Sequence, residues 1–156
     1  MNQASQPLNS SFAAEIKESF ALQSVMSLIG AELSMVAPGV VEITLPYRSD
    51  LAQQHGYLHA GMVTTIADSA CGYAAYSLMP ADSEVLSVEF KVNLLRPAKG
   101  EKFLAHGEVI KSGKTLTVVR ADVFGIAAMG DRELVATMLG TMICLRKNRG
   151  LVEASP

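Results

Sequence analysis

The sequence predicts an α+β domain in which antiparallel strands wrap one buried helix. Three observations carry that prediction. From Leu51 through Ala81, 31 residues hold one charged side chain, Asp68, and a helix apolar nearly all round is buried at the centre of something. Leu86, Val88, Phe90, Val92 and Leu94 alternate with Ser87, Glu89, Lys91 and Asn93, the period of two of a strand. Further apolar runs follow, separated by Arg96-Pro97-Ala98-Lys99-Gly100 and Lys111-Ser112-Gly113-Lys114, residues that turn a chain back on itself.

Each element follows in order. Residues 1–11 are polar and rich in Ser and Asn, as are residues 147–156, so both read as flexible tails around a single domain at 12–146. Ser11 is placed to cap a first helix, whose stripe is Ile16, Phe20, Val25, Met26 and Ile29. Ala31 to Ala37 and Val40 to Tyr47 read as strands around Pro38-Gly39, a type II turn signature. Residues 48–59 are loop. The second helix starts near Ala60 and stops at Pro80; Val63, Ile66, Ala67, Ala70, Cys71, Ala74, Ala75 and Leu78 cover most of its circumference. The strand at 86–94 comes next, then Phe103 to Ile110, Leu116 to Phe124 and Glu133 to Leu145. The last is apolar on both alternating faces, as a central strand covered on both sides would be.

Composition narrows the function classes. The 156 residues are 49% hydrophobic and 18% charged, below the roughly 25% charge of an average globular protein. Either the chain assembles with itself or its burial is unusually complete. A net charge of −2 gives no basic field for nucleic acid. Cys71 and Cys144 have no CxxC spacing and read as free thiols in a reducing cytosol. The first twelve residues lack the charged and apolar regions of a signal peptide. The most apolar window, Ala60 to Met79, carries Asp68 and several polar residues, which argues against a membrane span. The expectation is a cytoplasmic protein without nucleic-acid or membrane partners.

The candidate chemistry lies in Gln53-Gln54-His55-Gly56-Tyr57-Leu58-His59-Ala60-Gly61, followed by Asp68. Burying an ionised carboxylate is expensive unless it is hydrogen-bonded or useful. Asp68 can still be read as a protonated or backbone-bonded residue with no task. His59-Ala60-Gly61 stands where the helix begins, and free N–H groups at a helix N-terminus can hold a developing oxyanion. A loop histidine and a tight-turn glycine are the plainer readings. His55 and His59 lack a third zinc ligand, no G-x-S-x-G elbow or phosphate loop is present, and Cys71 reads as core. Ser69 reads as packing. The eight methionines fit gap-filling core better than an acyl tunnel.

HAGMVTTIADSACGYAA resembles the HGGxxxxxxD stretch of hotdog-fold thioesterases, in particular the PaaI-type acyl-CoA thioesterases of phenylacetic acid degradation. VLSVEFKVNLLRPAKG and the Gly-Lys hairpin after it resemble the same branch, and the likeness spans residues 15–145. The resemblance implies a hotdog fold, an antiparallel sheet around one long central helix. It implies hydrolysis of an acyl- or aryl-CoA, with Asp68 as general base or nucleophile and no cofactor beyond the thioester substrate. The Ala60 N–H would polarise the carbonyl, His59 and Gly61 would shape that loop, and Ser87 would help hold water or substrate. Gln53 stands where many members have Asn, and Ala60 where they have Gly. Coenzyme A would lie along Lys111, Ser112, Gly113, Lys114, Thr115 and Leu116.

Ala60 and Asp68 are eight residues apart on one helix, hence about 12 Å at 1.5 Å per residue. One carbonyl cannot reach both. Two antiparallel helices would bring the N-terminus of one beside the Asp68 of the other, which implies a homodimer with shared sites; the resemblance allows a dimer of dimers. Two other readings remain open: a non-catalytic acyl-CoA-binding hotdog module, for which a carboxylate beside an acyl chain has no use, and a hotdog dehydratase or hydratase, whose motifs are not visible.

Overall fold

A computed structural model describes residues 6–146; the tail expected at 147–156, and the first five residues of the other, lie outside them. The elements are α1 (Phe12–Leu22), α2 (Ser24–Ile29), β1 (Glu32–Ala37), β2 (Val40–Pro46), a 3-10 turn (Ser49–Leu51), α3 (Ala60–Tyr76), β3 (Ser83–Leu94), β4 (Lys102–Ser112), β5 (Leu116–Ile126) and β6 (Arg132–Arg146). All six strands form one antiparallel sheet in the order β1-β2-β4-β5-β6-β3. The α+β expectation therefore holds, with α3 lying on one face of the sheet and touching five strands.

Alternation in the sequence decides what each strand buries. Val41, Ile43 and Leu45 of β2, Phe103 and Ala105 of β4, and Val119, Ala121 and Val123 of β5 face α3 and are essentially inaccessible. Small residues on α3, chiefly Ala67, Ala70, Cys71 and Ala74, let the helix settle deep into this surface. The limit is reached at Gly107 on β4, where a Cβ would stand 2.5 Å from the backbone carbon of Ala70. At the far end of the helix, Ser77 is buried; its hydroxyl donates to the Ala74 carbonyl and accepts the Gly39 N–H at 2.7 Å. That bond pins the β1–β2 turn, where Gly39 supplies the positive φ of 75°.

Three details differ from the sequence reading. The first helix is two helices, broken at Gln23, which is extended. Ser11 occupies the N-cap position without a side-chain cap; instead Asn9 Oδ1 accepts the Ser11 N–H and Asn9 Nδ2 donates to Glu15. The third concerns β6, which is not covered on both sides. It lies second from an edge, and Leu139 and Leu145 on it are exposed.

That edge is β3, twelve residues long and paired among the described residues with β6 alone. Leu86, Val88, Phe90 and Leu94 are each 42–57% exposed. The opposite edge, β1, is half as long and half-buried, and a bulge between Leu33 and Met35 interrupts it. Bulges and short length blunt an edge; a long apolar edge invites another strand. No helix among the described residues is long and apolar enough to cross a membrane.

Candidate active site

The residues singled out in the sequence fall into three places. Asp68 and Ser87 meet: the Ser87 hydroxyl donates to Asp68 Oδ1 at 2.6 Å. Asp68 is half-buried rather than enclosed. It opens into a cleft of about 690 Å³ between α1, the second half of α3 and the start of β3. A carboxylate that holds one hydrogen bond and faces solvent avoids the cost of full burial. Its pairing with Ser87 depends on β3 running beside α3, and a bulge between Ser87 and Glu89 interrupts the strand there.

Gln53, His59, Ala60 and Gly61 gather at the N-terminus of α3. His59 is the N-cap, and its Nδ1 accepts the Gly61 N–H at 2.9 Å. An accepting Nδ1 leaves the neutral ring's proton on Nε2. The Gly61 N–H is thereby occupied. The Ala60 N–H makes no hydrogen bond among the described residues. Gln53 Oε1 accepts the His55 N–H and so holds the preceding turn. Gln53 and Ala60 line a second hollow, of about 390 Å³, with Val63, Leu94, Leu95 and Val135. This hollow and the Asp68 cleft are at opposite ends of the helix side, about 12 Å apart by helical rise.

Lys111 to Leu116 form the exposed β4–β5 turn. Gly113 is required there, since a Cβ would come within 2.6 Å of the Leu116 carbonyl oxygen, and the Thr115 carbonyl accepts the Cys144 N–H. Register places Ser112, Thr117, Met142 and Ser87 in one row across the sheet. At about 4.8 Å per strand, the turn stands on the order of 10–15 Å from Ser87, at the Asp68 end of α3.

The cleft has walls the sequence reading did not anticipate. Three polar pairs tie α1 and the Gln23 that ends it to α3 in antiparallel order: Tyr76 Oη donates to Glu15 at 2.8 Å, Ser19 and Tyr73 share a hydrogen bond at 3.2 Å, and Ser69 donates to Gln23 at 3.4 Å. Ser69 thus lines the cleft and is not packing. Burial and the neighbouring Glu15 push the Tyr76 hydroxyl up to about 12, keeping it a donor. Cys71 lies against the sheet; burial, with a smaller push from Asp68, raises its thiol to about 12, so it is no nucleophile. No methionine lines either hollow, and Met26, Met79, Met138 and Met142 fill core. Gly72 also borders the cleft. A mid-helix glycine costs about 1 kcal/mol relative to alanine, a signal legible in the sequence.

A six-stranded antiparallel sheet with one long helix laid across it defines the class of the fold. Residues 55–125 match the thioesterase superfamily. The chain is 48% identical to a thioesterase family protein from Silicibacter pomeroyi, covering 87% of this chain and 99% of that one with a TM-score of 0.85. It is 29% identical over 90 residues to the 1,4-dihydroxy-2-naphthoyl-CoA hydrolase of Listeria monocytogenes, covering 58% of this chain and 73% of that one. The PaaI protein of the E. coli phenylacetic acid degradation operon shares the fold, with a TM-score of 0.76 at 18% identity over 90% of this chain and 96% of that one. The chain belongs to the thioesterase superfamily, with the hotdog fold, and it is a thioester hydrolase.

Proposed function

We propose that the protein hydrolyses an acyl-CoA to the free acid and coenzyme A, with Asp68 at the reacting carbonyl. The observation that carries this is the Asp68–Ser87 pair facing an open cleft. Asp68 takes the proton of an attacking water, or attacks the thioester carbon itself to form an acyl anhydride that water then hydrolyses to the free acid. Ser87 orients the carboxylate, and an unoccupied Ala60 N–H receives the oxyanion. The thiolate of coenzyme A leaves with a proton. Water and the thioester suffice, and no cofactor enters. Lys111 and Lys114 serve the nucleotide phosphates. The Listeria relative's own substrate is a CoA thioester, which supports the same class here.

Each site is shared between two copies of a single domain spanning residues 12–146. The support is geometric: Asp68 and Ala60 are too far apart on one α3 to reach one carbonyl, and β3, which pairs among the described strands with β6 alone, presents a long, apolar edge through which a second copy can continue the sheet. A dimer of dimers would cover the apolar outer side of β6. Two unpaired cysteines fit a reducing, cytoplasmic setting.

Subunit complementation tests this. Asp68→Asn removes the base; Ala60→Pro deletes the donor N–H at a first-turn position that tolerates proline. Each folded variant is expected to be inactive on a panel of acyl-CoA thioesters. Co-refolding the two is expected to restore activity, because a mixed dimer holds one intact site. Mixed dimers that form and stay inactive place the site within one chain. An acyl-CoA-binding module without turnover predicts instead that the wild type binds the panel and hydrolyses none of it.

A further inference from the structure

We propose that the cleft between α1 and α3 is a docking surface for the chain's own residues 147–156, which lie outside the described residues, and that this segment acts as a strap over the Asp68 side of the helix. The cleft suits a cationic peptide. Glu15 and Glu18 line it, and no Lys or Arg among the described residues does. Glu15 accepts hydrogen bonds from Asn9 and Tyr76, one on each carboxylate oxygen, and each oxygen keeps a second acceptor position. The opposite wall holds an unmet donor. Ser83 lines the cleft at 2% exposure, and its hydroxyl has no hydrogen-bond partner among the described residues, a costly state for a buried polar group. Alternation puts Ser83, Val85 and Ser87 on one face of β3, and Ser87 on that face reaches Asp68. The Ser83 hydroxyl therefore faces the cleft, where it can donate to a backbone carbonyl laid along it.

Position, spacing and direction agree. β6 ends at Arg146, the register partner of Ser83, so residue 147 enters beside Ser83, at the end of the cleft away from Asp68. In an extended chain alternate residues share a side. Lys147, Arg149 and Leu151 then fall on one side, about 7 Å apart and about 13 Å in all. On α1, Glu15, Glu18 and Leu22 stand at i, i+3 and i+7, one face of the helix, and span about 10 Å. All three line the cleft, and Leu22 is 85% exposed. Glu15 bonds Tyr76 and Gln23 bonds Ser69, so α1 runs from the Tyr76 end toward Asp68, the direction in which residue 147 enters. Cation, cation and apolar residue meet acid, acid and apolar residue in order. Exposed ion pairs are weak and screened by salt, but a tethered segment binds at high effective concentration. The strap closes and opens readily, and Leu151 comes to rest on Leu22, narrowing the way to Asp68. Docking does not depend on what Asp68 does; its kinetic consequence rests on the reading of Asp68 as the group at the reacting carbonyl.

The test uses the full-length protein. A zero-length carbodiimide, which joins a lysine amine to a carboxylate, is expected to link Lys147 to Glu15 or Glu18 within one chain, read as peptide masses from the band of single-chain mobility. The yield is expected to fall at least about threefold in about 1 M salt, where the Debye length is about 3 Å. Kinetics follow on the member of the acyl-CoA panel that the wild type hydrolyses fastest. Arg149→Glu is expected to raise kcat/KM about threefold through a lower KM, the scale of one exposed ion pair, and Glu18→Lys to do the same. The two together are expected to return the wild-type value, because the exchanged charges pair again. Absence of the Lys147 link overturns the proposal, as does a link that joins two chains. An unchanged kcat/KM in Arg149→Glu, or single effects that multiply in the double variant, overturns it too. If Glu18→Lys does not fold, the link and Arg149→Glu decide. Crosslinking reads docking without turnover, so a wild type that hydrolyses no thioester fails the proposed function, a result distinct from a missing link.

Discussion

On the side of α3 that faces the sheet, one added methyl group at Gly107 would collide with the Ala70 backbone; on the side that faces α1 and β3, a Cβ at Gly72 would touch nothing. The first side is close-packed with Ile66, Ala67, Ala70, Cys71 and Ala74 at 2% exposure or less. The second carries Asp68, Ser69 and Tyr76, each half-buried and each hydrogen-bonded to another element. One face supplies stability and fixes where the helix lies; the other is left rough so that something can occupy it. The two faces share a backbone, so the positions of Asp68 and the Ala60 N–H are only as good as the packing behind them.

Four substitutions or conditions separate the faces. The largest effect belongs to the open side: Asp68→Asn keeps the shape, and kcat is expected to fall about 10²- to 10⁴-fold with the melting temperature little changed. A fall of less than about fivefold in the folded variant would remove Asp68 from the reaction. Gly107→Ala inverts the pattern. Overpacking against backbone is expected to cost about 1–3 kcal/mol, read as a lower urea midpoint, and an unchanged midpoint would show that the helix can move away freely.

High pH gives an effect of comparable size from the packed side. The Cys71 thiol is raised from 9.0 to about 12. Below about pH 9 both folded and unfolded chains keep the proton; between 9 and 12 only the unfolded chain releases it, so stability falls as pH rises. At about pH 10.5 the loss is on the order of 2 kcal/mol. Comparing urea midpoints at pH 8 and 10.5 in wild type and Cys71→Ala measures it, and equal slopes in the two proteins would contradict the assignment. The smallest effect is expected at Lys114→Ala, a few-fold rise in KM for a CoA thioester and none for its pantetheine analogue, since exposed charge contacts are worth about 0.2–1 kcal/mol. Equal effects on both substrates would detach the turn from phosphate binding.

Local chemistry made much of this legible. A 31-residue stretch with one charge located α3 and Asp68 together, strict alternation located β3, and apolar runs between turn residues located β2, β4 and β5. What stayed hidden depends on partners distant in sequence. Gln23 breaks the first helix without a glycine or proline to announce it. The cap comes from Asn9 two residues upstream of the serine that looks suited to it. Alternation in residues 86–94 reads as a strand but cannot say that the strand is an edge, because strand order is set by pairing with β6. For the same reason the approach of Ser87 to Asp68 was visible only through family resemblance, and the α1 wall of the cleft not at all. Its residues Glu15, Ser19 and Gln23 follow an i, i+4 spacing that looks like any solvated face.

Along Val85–Leu94, β3 pairs with no described strand other than β6, and this edge carries Leu86, Val88, Phe90 and Leu94. For a newly made chain that edge is a hazard before it is an asset, because it will pair with whatever extended segment it meets first. In the proposed dimer, mass action then ties abundance to synthesis rate: at low concentration the lone protomer persists longer, open to proteases and to misassembly, and each doubling of concentration shelters a larger share. Variants that weaken pairing along β3 should therefore reveal themselves as low steady-state protein levels and inclusion bodies, before any loss of turnover per molecule is measured.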